Sequence, residues 1–530
     1  MSRVVVHHTV DDAALQRLLA PRDAIIVEEP ARVGDRTFDA ALGPVRSYRR
    51  TLHVDATLAD GRHHVVDEIR FSLAIPFFAL LFVLPVRSAL TQASKDAAAG
   101  HTVERQPWWA PPDRFDRRAA TVLAMLGALS IVGGYLGTLI TQTITFAADR
   151  FDADDSAQGL TLALVRIGVV LALFIVAASD RRGRRLLLLG TATAAILVAA
   201  TGALAPSLFW LGSSQTVARG LSTALALLVG IVAAEELPAG SRAYGVSVMA
   251  LAGGLGAGMC VWVLPLADLG PDAWRILYLV PLAALPIVLR VSRLLPESRR
   301  FVVHRGHAPI GVDRSRLGLL AVSGFLASVF LAPASQFQNE FLRTERGFSA
   351  SRISAFTLLT TTPAGIGVAV GGRLADVRGR RRVAAVGLLG GAGFTVAAYV
   401  TSGWPMWSLS GLGSIIAAAT VPALGVYGPE LFPTTGRGRA NGIITLIGVV
   451  GSSVGLLAAG YLSERLGGLG PAMAILAIGP VLLAVLILTR YPETAHRELE
   501  DLNPGDRDPA GLAEPAGGTL NGDAPTGPKP

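Results

Sequence analysis

The chain has 530 residues, of which 51% are hydrophobic and only 16% charged, and its mean hydropathy is +0.49. Soluble domains carry about 25% charged residues, so a wholly aqueous fold is a poor fit. The net charge of +8 would suit nucleic acid, but the arginines gather at the ends of apolar blocks, as membrane topology demands; the single cysteine, Cys260, excludes an intramolecular disulfide or a thiol metal cluster.

Residues 1–112 differ from the rest. A strand is predicted near Val4–Val6 and a helix over Asp12–Ala20. A β-hairpin follows, in which Leu52, Val54, Ala56 and Leu58 alternate towards Ala59, Asp60 and Gly61, and Val65, Ile69, Phe71 and Leu73 return. The segment reads as a small α+β domain, similar to a helix-grip ligand-binding fold. The uncharged run Phe71–Val86 contains Pro76 and Pro85 and is short for a span, so a buried or interfacial segment is expected. The first seventy residues hold no signal-peptide core, which keeps the amino terminus in the cytoplasm.

From Arg114 onward, apolar blocks approach the ~20 residues that cross ~30 Å of hydrocarbon. They predict spans at 119–147, 158–178, 186–204, 207–234, 244–267 and 275–294. After a polar loop, a second six lie at 317–341, 353–375, 383–401, 405–429, 440–462 and 471–489. The fold class is thus an all-α membrane protein of twelve transmembrane helices in two six-helix pseudo-symmetric halves, with a small cytoplasmic α+β N-terminal domain. Domains are expected at 1–112 (accessory), 113–303 and 304–495 (the two halves), with 496–530, rich in Pro, Gly and Asp, as a disordered tail.

Alternate loops carry the basic residues: Arg181, Arg182, Arg184 and Arg185, then Arg299, Arg300 and Arg305, then Arg378, Arg380, Arg381 and Arg382. These share the cytoplasmic side by the positive-inside rule. The opposite loops hold Asp149, Asp152, Asp154, Asp155, Asp268 and Asp272, with Arg150, Arg343 and Arg346 as exceptions. A multi-pass protein of the plasma membrane with both termini in the cytoplasm is expected.

Three short patterns recur in order at one spacing. Asp180-Arg-Arg-Gly-Arg-Arg185 returns 196 residues later as Asp376-Val-Arg-Gly-Arg-Arg381. Glu235-Glu-Leu-Pro238 with Arg242 returns 195 residues later as Glu430-Leu-Phe-Pro433 with Arg437, and Pro296-Glu-Ser298 returns as Pro492-Glu-Thr494. Duplication of a six-helix unit explains this, an arrangement found among secondary transporters. With Arg219 in the fourth span and Trp274-Arg275, these motifs make residues 113–495 resemble the major facilitator superfamily, and within it the sugar-porter and related metabolite-transporter branches. Two departures stand out. Val176 occupies a position where the pattern prefers glycine, kept in the second copy as Gly372, and Gly134-Tyr135-Leu136 stands where proton-coupled sugar porters carry Gly-Tyr-Asp.

The resemblance implies alternating access and a cytoplasmic gate built from Asp180, Arg184, Glu235, Arg242, Asp376, Arg380, Glu430 and Arg437. Asp180 and Asp376 would pair with arginines near Glu235 and Glu430 only while the cytoplasmic ends are together. Substrate contact is expected from Arg166, Arg219, Tyr135, Gln142, Gln336, Gln338 and Asn339. An unpaired arginine within a span costs roughly 2.5 to 3.5 kcal/mol, so Arg166 and Arg219 each need a cavity or a partner: an anionic substrate group, backbone carbonyls, water, or simply a helix to brace. Gln336, Gln338, Asn339 and Glu340 form either a hydroxyl-binding cluster or a polar helix end. Tyr135, Thr138, Thr141 and Gln142 give the first span a polar face, whereas Gly253, Gly254, Gly256 and Gly258 suit close packing.

No phosphate-cradling loop, catalytic triad or metal constellation is present, and only Lys95 and Lys529 are lysines, so neither an enzyme nor a nucleotide-driven pump is indicated. The sequence therefore predicts a secondary active or facilitative transporter of a small polar metabolite, a sugar or an organic acid, as a monomer in the lipid bilayer, with no cofactor and no nucleic-acid partner. A co-transported proton stays open, as uniport and symport both fit. Export of amphipathic drug-like compounds is the alternative within transport. A solute receptor signalling through residues 1–112 is the alternative outside it.

Overall fold

The computed structural model describes residues 1–506 except 33–35, 58–60, 102–105, 154, 304–310 and 349. The predicted hairpin tip, Asp154, Arg305 and the tail beyond 506 lie outside the described residues.

The N-terminal segment forms an antiparallel sheet in the order β1-β5-β4-β3-β2. Its strands are β1 (Ser2–Val10), β2 (Val27–Pro30), β3 (Thr37–Leu42), β4 (Val45–Thr57) and β5 (His63–Leu73). Period-two alternation buries Val4, Val6, Val65, Ile69 and Phe71 on one face. Helix α1 (Asp12–Leu18), capped by the Asp11 side chain, and the long helix α2 (Ala79–Ala99) pack together beside the sheet. This core encloses charges in pairs: Arg50 meets Glu28 at 2.7 Å and Arg22 meets Asp67 at 2.6 Å. The Tyr48 hydroxyl donates to Glu28, and Ser94 Oγ, itself 2.9 Å from His8 Nε2, donates to Asp67. Burial lowers the His8 imidazole below its ordinary pKa.

Among the described residues, eleven helices are long and apolar enough to cross a membrane. Span 1 is Arg117–Arg150, span 3 Arg184–Leu204, span 4 Leu208–Glu236, span 5 Ala239–Ala267 and span 6 Arg275–Leu294. In the second half, span 7 is Arg314–Glu345, span 8 Ala355–Arg378, span 9 Arg380–Val400, span 10 Gly403–Glu430, span 11 Arg437–Leu466 and span 12 Leu469–Arg490. Span 2 completes twelve as two helices, Asp155–Ile167 and Val169–Arg182, that meet at Gly168. Every one overlaps a predicted block.

The two halves meet where span 2 packs on span 11 and span 5 on span 8. Small residues set both contacts. A Cβ on Gly372 of span 8 would overlap Ser247 Oγ of span 5. In the symmetry-related contact the glycine has changed sides: Val176 of span 2 is retained, and Gly438 of span 11 provides the close approach to its carbonyl. Within the first half, Gly134, Gly253 and Gly256 bring spans 1 and 5 into backbone contact, whereas a Cβ on Gly254 would meet nothing within 4 Å and one on Gly258 only Trp262 of its own span.

One boundary needs correction. The residues after 496 do not leave the fold at once: Leu499–Leu502 forms a helical turn with Leu499 and Leu502 buried, and Asp506 accepts from the Thr434 amide. Low-complexity composition predicted a tail because its few apolar residues are too sparse to give a periodic pattern.

Candidate functional site

The loops between spans 2 and 3 and between spans 8 and 9 place their charges at one end of the bundle, the basic end that also carries the amino-terminal domain. At Gly183 and Gly379 the chain takes φ of 105° and 97°, which turns it directly into the next span. Glu297 then accepts from the Arg184 and Arg185 amides, and Glu493 from those of Arg380 and Arg381, so each motif after spans 6 and 12 caps the start of span 3 or 9.

The guanidinium groups of Arg184 and Arg380 enter a buried network. Arg184 lies 2.8 Å from Asp180 and 3.4 Å from Glu235; Arg380 lies 3.2 Å from Asp376 and pairs with Glu430. Each glutamate also binds an arginine from the other half: Glu235 with Arg437 at 2.5 Å, and Glu430 with Arg242 at 3.3 Å. Ser298 donates to Glu235 at 2.6 Å, and Thr494 is hydrogen-bonded to Arg380. All eight expected gate residues thus meet at one end.

Their pairing differs from expectation in one respect. Asp180 does not reach the Arg437 side chain; it accepts from the Gly438 and Arg439 amides at the start of span 11. Asp376 likewise accepts from Ala243 and Tyr244 at the start of span 5. Carboxylates at helix N-termini satisfy orphan amides and complement the dipole. Cross-half ion pairing falls to the glutamates, and the aspartates cap helices of the opposite half.

Above this closed end, a cavity of about 410 Å³ lies between spans 1, 4, 5, 10 and 11, with Ser130 and Asn441 as its polar lining. One to two turns further from the basic end, Arg219 of span 4 donates to the Gly137 carbonyl of span 1 at 2.6 Å. Arg166 of span 2 is exposed and close enough to repel it. Among the described residues, Arg166 has no hydrogen bond or ion pair, and Arg219 has no acid partner.

The other expected contacts divide. Tyr135 is buried, and its hydroxyl donates to Leu277 within the first half, so that side chain is already used. Gln142 is half-buried, and Gln336, Gln338 and Asn339 gather where span 7 breaks after Gln336. None of these four side chains has a hydrogen bond among the described residues. At the end opposite the gate, Arg150 and Arg275 donate to Asp272 and hold its carboxyl below the usual carboxylate range. Asn441 lines the cavity and went unnoticed in the sequence, where it sits among small residues without a motif.

Residues 317–515 match the family model of the Major Facilitator Superfamily. That match covers the second six-span half, so this part of the chain is similar to the superfamily. Solved structures of similar fold include the proton:xylose symporter XylE bound to 6-bromo-6-deoxy-D-glucose, 18% identical with a TM-score of 0.64 over 74% of this chain and 99% of that one. The fucose:proton symporter FucP of E. coli is 15% identical, with a TM-score of 0.59 over 71% and 100%. The human organic anion transporter MFSD10 (TETRAN) is 19% identical, with a TM-score of 0.58 over 71% and 100%. The puromycin resistance protein pur8 of Streptomyces alboniger is 39% identical over 102 residues, so the match spans 18% of this chain and only 20% of that relative's length. At these identities the solved structures establish the fold, while the solute has to be argued from the chain's own residues.

Proposed function

We propose that this protein is a major-facilitator-type transporter that moves a small organic anion by alternating access, with the basic end facing the cytoplasm of the plasma membrane. The observation that carries the reading is the pair Arg166 and Arg219 at mid-depth, two cations near one another with no acid partner among the described residues. A carboxylate bound between them would relieve both the repulsion and the cost of unpaired charge in the membrane. Gln142 and the span 7 amides would hydrogen-bond the rest of a polar solute. The closed gate at the basic end leaves the cavity to be entered from the other side, and breaking the Glu235–Arg437 and Glu430–Arg242 pairs would open the second half of the cycle.

Thermal stabilisation of the purified protein by a panel of organic acids, neutral sugars and amphipathic compounds tests this. Organic acids should stabilise the parent protein and fail with Arg166→Gln. Stabilisation by neutral sugars equally in both proteins would overturn it. A second reading, export of amphipathic compounds, draws on the likeness to the puromycin resistance protein and on the apolar lining of the cavity by Leu129, Leu225 and Met249. It predicts stabilisation by amphipathic compounds that is indifferent to Arg166.

A further inference from the structure

Helix α2 carries an apolar face that nothing among the described residues covers. At its start, Leu80 is 88% exposed and Leu81 and Leu84 are each 70% exposed, after Phe77 at 39%. Two turns on, the same face becomes polar, with Arg87, Ser88, Gln92 and Lys95 exposed. The opposite face, with Phe78, Phe82 and Val86, turns inward. An aqueous domain has no use for three leucines in a patch, and such patches mark interaction surfaces.

Position decides what covers it. The Thr121 hydroxyl donates to the Ala74 carbonyl at 2.8 Å, which ties the entry to α2 onto span 1. The Phe78 ring approaches within 3.7 Å of where a Cβ on Gly127 would stand. Gly127 lies ten residues beyond Arg117, at which span 1 begins, or about 15 Å along the helix axis. The tip of the N-terminal domain is therefore level with the apolar belt of span 1. Behind it, an apolar cavity of about 280 Å³ runs between Phe78 and Phe82 on one side and Leu123, Gly127, Val248 and Leu251 of spans 1 and 5 on the other.

The charges follow the same depth. Arg87 emerges two turns above the leucines, and Arg46, Arg117 and Arg290 border a second cavity between the sheet and spans 1 and 6. Among the described residues, none of these four arginines has an acid partner. Leucines below and free arginines above match the layering of an anionic leaflet, where arginine heads reach up to the phosphates.

We propose that residues 77–84 insert into the leaflet on the side of the basic end, and that the cavity behind them holds the acyl chain of a membrane lipid. The left-handed backbone of Phe77, with φ of 68°, is the turn that aims the strand's exit down into that leaflet. The N-terminal domain is then anchored in the bilayer beside span 5, whichever solute the membrane part carries.

The test uses the full chain in nanodiscs of phosphatidylethanolamine and phosphatidylglycerol. On a Cys260→Ser background, nitroxide labels are placed singly at Leu81→Cys, Leu84→Cys and Gln92→Cys, with Leu457→Cys on the exposed face of span 11 as the lipid reference. Labels at 81 and 84 should collide with oxygen several-fold more than with a nickel chelate, as at 457, while the label at 92 shows the reverse. Nickel access at 81 and 84 equal to that at 92 would overturn the insertion, and shielding from both quenchers would show a protein surface covering the patch instead. For the cavity, brominated-chain phosphatidylglycerol should quench tryptophan emission measurably less in Trp109→Phe, because Trp109 lines that space. Equal quenching would remove the lipid from it.

Discussion

An arginine inside a membrane span is tolerated when something neutralises it. Arg184, Arg242, Arg380 and Arg437 are fully buried yet each meets at least one carboxylate, whereas Arg166 and Arg219 meet none among the described residues. In the proposed transporter the first group holds the basic end closed and the second binds the solute. Losing one charge-assisted hydrogen bond costs about 1.5 to 3 kcal/mol, so Arg219→Gln should weaken binding of an organic acid by roughly 10- to 100-fold in a titration calorimeter. Removing one partner from a buried ion pair costs about 3 to 5 kcal/mol, because the other is left charged and dry. Glu430→Ala should therefore open the basic end, seen as a longer distance between spin labels at Arg182→Cys and Arg382→Cys than in the parent pair. The glutamates and arginines of this gate were legible in the sequence because they recur at fixed spacing. The capping role of Asp180 and Asp376 was not, since their acceptance from backbone amides of the opposite half leaves no trace in the residue type of the donor.

At the scale of elements, the twelve spans follow from length and hydropathy alone, because lipid demands about twenty apolar residues whatever their order. The contacts between spans depend on single small residues. Gly372→Val should crowd Ser247 and loosen the span 5–span 8 contact by about 1 to 3 kcal/mol, read as a lower melting temperature, while Val176→Gly in the related contact has no overlap to relieve. The strands β1, β4 and β5 and helix α1 were readable from alternation and capping, but β2 and β3 were not, being short and without period-two patterning. Pro85 obscured α2, which continues through it because a proline removes one hydrogen bond without forbidding the rest. Within this domain, the lowered pKa of His8 sets a pH dependence. The folded state favours the neutral imidazole, so below about pH 6.5 the unfolded state binds more protons and stability present above that pH is lost. Protease protection of residues 1–100 should fall between pH 7.5 and 5.5, and His8→Gln should flatten that dependence.

Across the whole molecule, one pseudo-twofold relation generates the gate. Every contact of Glu235 with Arg184 and Arg437 has its counterpart at Glu430 with Arg380 and Arg242, so the two halves close symmetrically at the basic end. In the proposed alternating-access cycle a symmetric gate stands over an asymmetric interior: the first half carries Arg166 and Arg219, and span 7 of the second carries the uncharged Gln336, Gln338 and Asn339. The carboxyl-terminal residues add to the closed end, as Arg242 donates to the Arg497 carbonyl and Asn503 to that of Glu430. The most direct measurement is uptake of radiolabelled organic acids into proteoliposomes that contain the purified chain, with and without an imposed pH gradient. Saturable uptake that is lost with Arg166→Gln, and retained for a conservative Arg166→Lys at reduced affinity, is the predicted result. Saturable uptake of neutral sugars or amphipathic cations that is unchanged by either substitution, with none of organic acids, would contradict the account.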